Sequence, residues 1–159
     1  MGTEAVKGLV VRCLQLPLRG LSLLVPNTTV AEVSGYLPPE PMAQAPEWLL
    51  GTVLWRGASV PLISYELMLG RDNTMHSQHR RIAIMNTIRT DSLLPFLAIE
   101  VQGIPRLIHL SEEMLSLREG ERESPSMVAS DVVFEGKNSI IPDLAVIEKM
   151  LLQLGLKVH

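Results

Sequence analysis

Few side chains in this sequence could do chemistry, and most of them sit close together. Asp72, His76 and His79 share one short polar segment, and His109 follows further on. Imidazoles and a carboxylate are ligands for zinc or manganese, and a metal held this way activates water for hydrolysis. One reading is therefore a small metal-dependent hydrolase using His76, His79 and Asp72. The scaffold for it is missing, because no helix holds both imidazoles on one face and the glutamate of the zinc helix motif is absent. Cys13 is the single cysteine, and among Val and Leu it reads as a small core residue, not a nucleophile. No nucleophile, base and orienting group fall in a recognisable arrangement. The expectation is no catalytic residue, no metal and no cofactor.

The chemistry left is recognition. The stretch from Trp48 to Gly70 has two apolar runs around an Arg56-Gly57 turn, in a chain with only 4% aromatic and 19% charged residues. Arg56 presents five donors in a fixed fork, which suits a carboxylate. It either pairs an acid on a partner or bonds within its own hairpin and holds the Trp48 loop. If Arg56 faces solvent, period-two alternation puts Trp55 on the opposite, core side. Glu32 has a local alternative as well, since Thr29 and Glu32 have capping-box spacing. Val30 is either exposed contact area or core.

Composition bounds what positions these residues. At 159 residues, one domain can bury about 68–70% of its unfolded surface without a disulfide or metal. Hydrophobic residues make up 47% of the chain, built mainly from Leu, Val, Ile and Met, which argues for a packed globule. A lone cysteine and the absence of a signal-peptide pattern lead us to expect a cytoplasmic protein. No run reaches the ~18 apolar residues of a membrane span, so no membrane insertion is expected. A net charge of −3 with Arg80-Arg81 as the one adjacent basic pair gives too little positive charge for nucleic acid. Without a sustained heptad, the chain should be a monomer in isolation.

Short apolar runs punctuated by Gly and Pro point to strands. Leu9–Leu16 and Leu21–Val25 read as a hairpin turning at Pro17–Gly20. The stretch Leu37 to Pro46 contains four prolines, at 38, 39, 41 and 46, which exclude regular structure, and Pro46 could open a helical turn ending at Gly51. Thr52–Ser64 is a hairpin, followed by a brief helix from Tyr65 stopped by Gly70. The polar stretch Arg71–Arg80 is the expected boundary between two halves, about 18–79 and 80–140, with the terminal segments completing them inside one domain of residues 5–155. Strands follow at Arg81–Thr87, then a pair at Leu93–Val101 and Ile104–Leu110. Ser111 should cap an acidic helical segment, and Glu119–Glu123 reads as a solvated loop. Met127–Phe134 and Ser139–Ile141 flank a turn at Gly136. Asp143 caps the clearest helix, with Leu144, Ile147, Leu151 and Leu154 on one face and Gly155 ending it.

The Gly51, Arg56, Gly57 and Pro61 spacing resembles the signature segment of CheW-like domains, with Leu54 where that family has Asn. Val30-Ala-Glu-Val33, Val101–Leu110 and Phe134–Leu144 are similar to further family elements in the right order, so the resemblance runs from about Leu9 to Leu154. Departures include Gln102 in place of an acid and Arg106. The Leu23–Val33 run looks more like the divergent CheW-like proteins of type IV pilus chemosensory clusters, the ChpC and PilI type. The resemblance implies a mainly β fold of two small five-stranded SH3-like β-barrels sharing a core, with short helices and a C-terminal helix. It also implies a non-catalytic adaptor whose partners are the regulatory domain of a CheA-type histidine kinase and the cytoplasmic tip of chemoreceptors. On this basis Val30, Glu32, Arg56 and Gly57 are the expected partner-binding residues.

Overall fold

The computed structural model describes residues 10–71, 77–88, 94–117 and 127–155. Their strands form two sheets. The first contains β1 (Val10–Pro17), β2 (Ser22–Pro26), β8 (Arg106–Ser111), β9 (Leu115–Leu117), β10 (Val128–Phe134) and β11 (Lys137–Pro142), in the order β8-β1-β2-β11-β10-β9. The second contains β3 (Val30–Gly35), β4 (Leu49–Trp55), β5 (Ala58–Ile63), β6 (Arg81–Asn86) and β7 (Phe96–Val101), in the order β3-β6-β7-β5-β4. From β8 to β10 and from β3 to β4 the pairing repeats: antiparallel, antiparallel, parallel, antiparallel. The two halves are thus copies of one topology.

The edges of each sheet are brought together through the chain. In the first, the edge strands β8 and β9 are consecutive in the chain, separated only by a 3₁₀ turn at Glu112–Met114. This turn raises the strand number to six where five were expected. In the second, Glu40 and Thr52 exchange both backbone hydrogen bonds, at 2.8 and 2.9 Å, laying the chain that leaves β3 along β4. The Glu40–Thr52 bridge covers part of the β4 edge, and a covered edge cannot recruit another chain.

Alternation then sorts the side chains into three clusters. Cys13, Leu24, Ile108, Leu110, Val132 and Phe134 fill the first barrel. Val53, Val60, Leu62, Ile82, Ile84 and Ala98 fill the second. Residues between them in sequence, among them Leu23, Val25, Ile63, Ala83, Met85, Leu97 and Ile99, point the other way into a core shared by both. A strand apolar on both faces is buried on both faces, and that is the arrangement here.

Each barrel sends a short helix into the shared core. Helix α1 (Tyr65–Met68) follows β5, with the Ser64 hydroxyl accepting the Leu67 N–H at 3.3 Å. Helix α2 (Leu144–Gln153) follows β11, capped by Asp143, which accepts the Val146 N–H at 3.2 Å. Leu144, Ile147 and Leu151 of α2 are buried, whereas Leu154 falls at its exposed C-cap. The expected C-terminal contact at Leu156 lies outside the described residues.

The halves do not meet near residue 80. The strands on both sides of the polar segment belong to the second barrel, which takes β3 to β7 consecutively, while N- and C-terminal strands together build the first. Consequently β7 and β8, expected to pair, belong to different sheets. The crossover between them is pinned to the first barrel by the Gln102 N–H, which donates to the Pro17 carbonyl at 2.8 Å. Ser111 makes no side-chain cap, and the expected acidic helix is only the 3₁₀ turn before β9. The turn at Pro46 likewise yields to β4 by Leu49.

Gly51 shows why the signature segment needs a glycine. Its φ is +143°, and a Cβ there would lie 2.2 Å from the Glu40 carbonyl oxygen. Gly51→Ala should therefore cost about 1–3 kcal/mol from overpacking, seen as a lower urea midpoint. Gly57→Ala, where a Cβ meets nothing within 4 Å, should cost only the strain of a positive φ. Equal losses in the two variants would count against this account.

Buried carboxylates join the barrels. Glu66 of α1 is fully buried and accepts the Arg19 N–H, in the β1–β2 turn of the other barrel, at 3.3 Å. Burial raises its pKa above the ordinary 4.5, the Arg19 N–H opposes this, and repulsion from Glu100 adds to it. A folded state with a raised pKa holds its proton more tightly than the unfolded chain, so this group's contribution falls as pH rises above about 4.5. Glu66→Gln should remove that part of the slope, giving a flatter stability profile on the acid side of neutrality in urea melts at stepped pH. An unchanged slope would show that another group dominates.

Candidate functional site

The β4–β5 hairpin turns on two residues, with Trp55 and Ala58 paired on either side of Arg56 and Gly57. Both turn residues have positive φ, 49° for Arg56 and 79° for Gly57, the pattern of a type I′ turn that matches strand twist. Glycine adopts this conformation freely and arginine does not. Arg56 is thus held in a strained conformation at the tip, with its side chain 70% exposed.

Because Arg56 belongs to the turn and not to the strand, it does not point away from Trp55. Its guanidinium carbon stands 4.7 Å from the centre of the Trp55 ring, a cation–π arrangement. Trp55 is only half-buried; it packs edge-on against Phe96 of β7 at 4.8 Å and leans on the second barrel's interior. The expectation that Trp55 is simple core is corrected by the geometry of the turn.

Glu32 reaches this hairpin from β3. Its Oε2 accepts the Trp55 Nε1–H at 2.7 Å, and its Oε1 lies 3.6 Å from an Arg56 guanidinium nitrogen. It caps nothing near Thr29, whose hydroxyl instead donates to the Pro26 carbonyl at 2.7 Å. The aim of Glu32 comes from a bulge. Val30 pairs with Met85, but the register shifts and Glu32 pairs with Ile84. Met85 faces the shared core and Ile84 the barrel interior. One extra residue therefore sends Val30 and Glu32 to opposite sides, though they are two apart. Val30 packs, half-buried, against the shared core.

Glu32, Arg56 and Gly57 thus converge on one barrel end, while Val30 starts the strand that carries Glu32 there. Trp55 is the member that residue-by-residue reading missed. Beside it, Leu54 is 71% exposed, where the family pattern has a polar residue. Since β3 and β4 are the two edges of their sheet, the Trp55–Glu32 bond also fastens the barrel seam.

The other candidates fall elsewhere. Asp72 and His76 lie outside the described residues, as do Glu119–Glu123. His79 is exposed, with its N–H donating to the Ser77 hydroxyl at 3.0 Å, and His109 points outward from β8, paired with Arg12. Among the described residues, no three His, Cys, Asp or Glu could hold a metal ion. Cys13 is buried, and burial pushes its thiol pKa up. Arg80 rests on the Tyr36 ring at 3.7 Å and faces Glu100 at 4.0 Å, so it is engaged within the fold. Among the described residues no helix is long and apolar enough to cross a membrane.

No curated protein sequence matches the chain significantly. Among solved structures, the scaffolding protein TtCheW from Thermoanaerobacter tengcongensis superposes with a TM-score of 0.71 at 18% identity, over 86% of this chain and 90% of that one. That likeness establishes the fold. The family model for the CheW-like domain matches residues 12–150, which takes in both barrels, the Arg56 hairpin and most of α2, and the chain belongs to the CheW-like domain family.

Proposed function

We propose that this protein is a non-catalytic chemosensory adaptor that couples chemoreceptors to a CheA-type histidine kinase. Its partners in this reading are the kinase's regulatory domain and the cytoplasmic receptor tip, and in their absence it is a monomer. The Leu23–Val33 run favours a type IV pilus chemosensory cluster as the setting. Partner-facing roles go to Arg56, Gly57, Glu32 and Val30. The observation that carries the reading is Arg56 itself. Asparagine or glycine would make this turn with less strain, so an arginine there is explained by what its exposed side chain meets. Backbone strain of this kind concentrates at functional sites.

Titration of the purified protein with a recombinant chemoreceptor cytoplasmic-tip fragment, and separately with a kinase regulatory domain, tests the proposal. If Arg56 becomes desolvated on a partner carboxylate, Arg56→Ala should cost about 2–5 kcal/mol of binding, mostly through faster dissociation. Folding should lose no more than about 1 kcal/mol, since exposed ion pairs and cation–π contacts are worth that little. A variant that melts markedly earlier yet binds normally in its folded fraction would assign Arg56 a structural role only.

A further inference from the structure

We infer that Trp55 is a positioning residue that keeps Glu32 in place, leaving Arg56 free to move to a carboxylate on the partner. The inference rests on the proposed partner-facing role of Arg56. Glu32 has two oxygens in different situations. Oε2 is held by the Trp55 indole N–H at 2.7 Å, a short charge-assisted bond. Oε1 lies 3.6 Å from Arg56, beyond normal hydrogen-bond length. The weak link is therefore between Arg56 and Glu32, and the firm one is between Glu32 and Trp55.

The first barrel supplies an internal comparison. Its β10–β11 hairpin also turns on a charged residue and a glycine, Glu135 (φ 51°) and Gly136 (φ 75°). Glu135 pairs with Arg106 of β8, the strand that corresponds to β3. Charges are reversed, and this pair closes to 2.9 Å. The residue before that turn is Phe134, which is buried and has no side-chain N–H to offer. Where the preceding residue cannot bond the carboxylate, the ion pair forms directly; where it is a tryptophan, the pair stays open. With Glu32 satisfied by Trp55, losing Arg56 to a partner does not leave a stray carboxylate to draw it back.

Two measurements decide this. The chain has two tryptophans, so the Trp55 indole N–H can be followed by ¹⁵N NMR. In Arg56→Ala without any partner, its slow exchange should persist even though loss of the stacked guanidinium moves its shift, whereas Glu32→Gln should make it exchange fast. If Arg56→Ala releases the indole as fully as Glu32→Gln does, the inference is overturned, whatever the partner. In the second measurement, Trp55→Phe should weaken binding of the receptor-tip fragment about tenfold, and the loss should largely vanish in a Glu32→Gln background. Additive losses in that cycle would overturn the role through Glu32. Arg106→Ala, on β8 against the equivalent tip, should bind as the parent does. A parent protein that binds no fragment strikes the adaptor reading and the hand-over to a partner, while the indole signal still decides whether Trp55 holds Glu32.

Discussion

Two buried carboxylates, each reaching from one barrel's helix to a backbone N–H of the other, hold this molecule in a single arrangement. Glu66, on α1 between β5 and β6 of the second barrel, accepts from Arg19 in the β1–β2 turn of the first. Glu148, on α2 after the first barrel, accepts from Ile88, just past β6 of the second. The exchange is reciprocal because the two topologies are copies. Apolar burial supplies most of the stabilisation but is non-directional, and a shared core of aliphatic side chains tolerates repacking. Directional bonds from fully buried acids restrict the barrels to one mutual orientation, at a cost in desolvation that Glu66 shows in its raised pKa. The Tyr65 hydroxyl adds a third tie, donating to the Met127 carbonyl at the start of β10 at 2.8 Å.

Much of this was legible in the residues. The β1–β2, β4–β5 and β10–β11 hairpins follow from apolar runs and their turn residues, and α2 from Asp143 and its buried stripe. What could not be read was which sheet each strand joins. Ile82 and Ile84 alternate with Ala83 and Met85, and both sets are apolar because both faces are buried. Periodicity names the faces but not their partners, so β7 and β8 looked like neighbours. Likewise a polar stretch need not mark a boundary, and the strands before and after the one near residue 80, β5 and β6, belong to the same sheet. Chain crossings occur instead at short links, the 3₁₀ turn Asn27–Thr29 and the bend at Gln102–Gly103.

At the candidate site, Arg56 and Glu32 could each be singled out, but their meeting could not. The capping-box reading of Glu32 assumed a helical turn continuing past Thr29, whereas the chain enters β3 at Val30. A bulge, invisible in the pattern of residue types, then turns Glu32 towards the barrel end. The reading of Trp55 failed for a related reason. Strand alternation was carried one residue too far, into a turn where positive φ folds Arg56 back over the ring. In both cases a local departure from regular backbone decides where a charged side chain goes.

Those departures sit where the scaffold can bear them. Strained turns and bulges cost stability, so they need rigid surroundings that over-determine them. The Arg56 tip has such support: β4 and β5 pair without a break from Gly51 to Leu62 behind it, Phe96 braces Trp55, and Gly51 lets the chain at Glu40 approach β4 beneath. A duplicated topology makes this arrangement available at two barrel ends. Only one of them combines an exposed cation with a tryptophan that bonds the neighbouring acid. The first barrel spends the corresponding charges on a closed pair between Arg106 and Glu135, while the second keeps its arginine extended over an aromatic face. Duplication explains the shared frame, and the residue before each turn explains why the two ends present different chemistry.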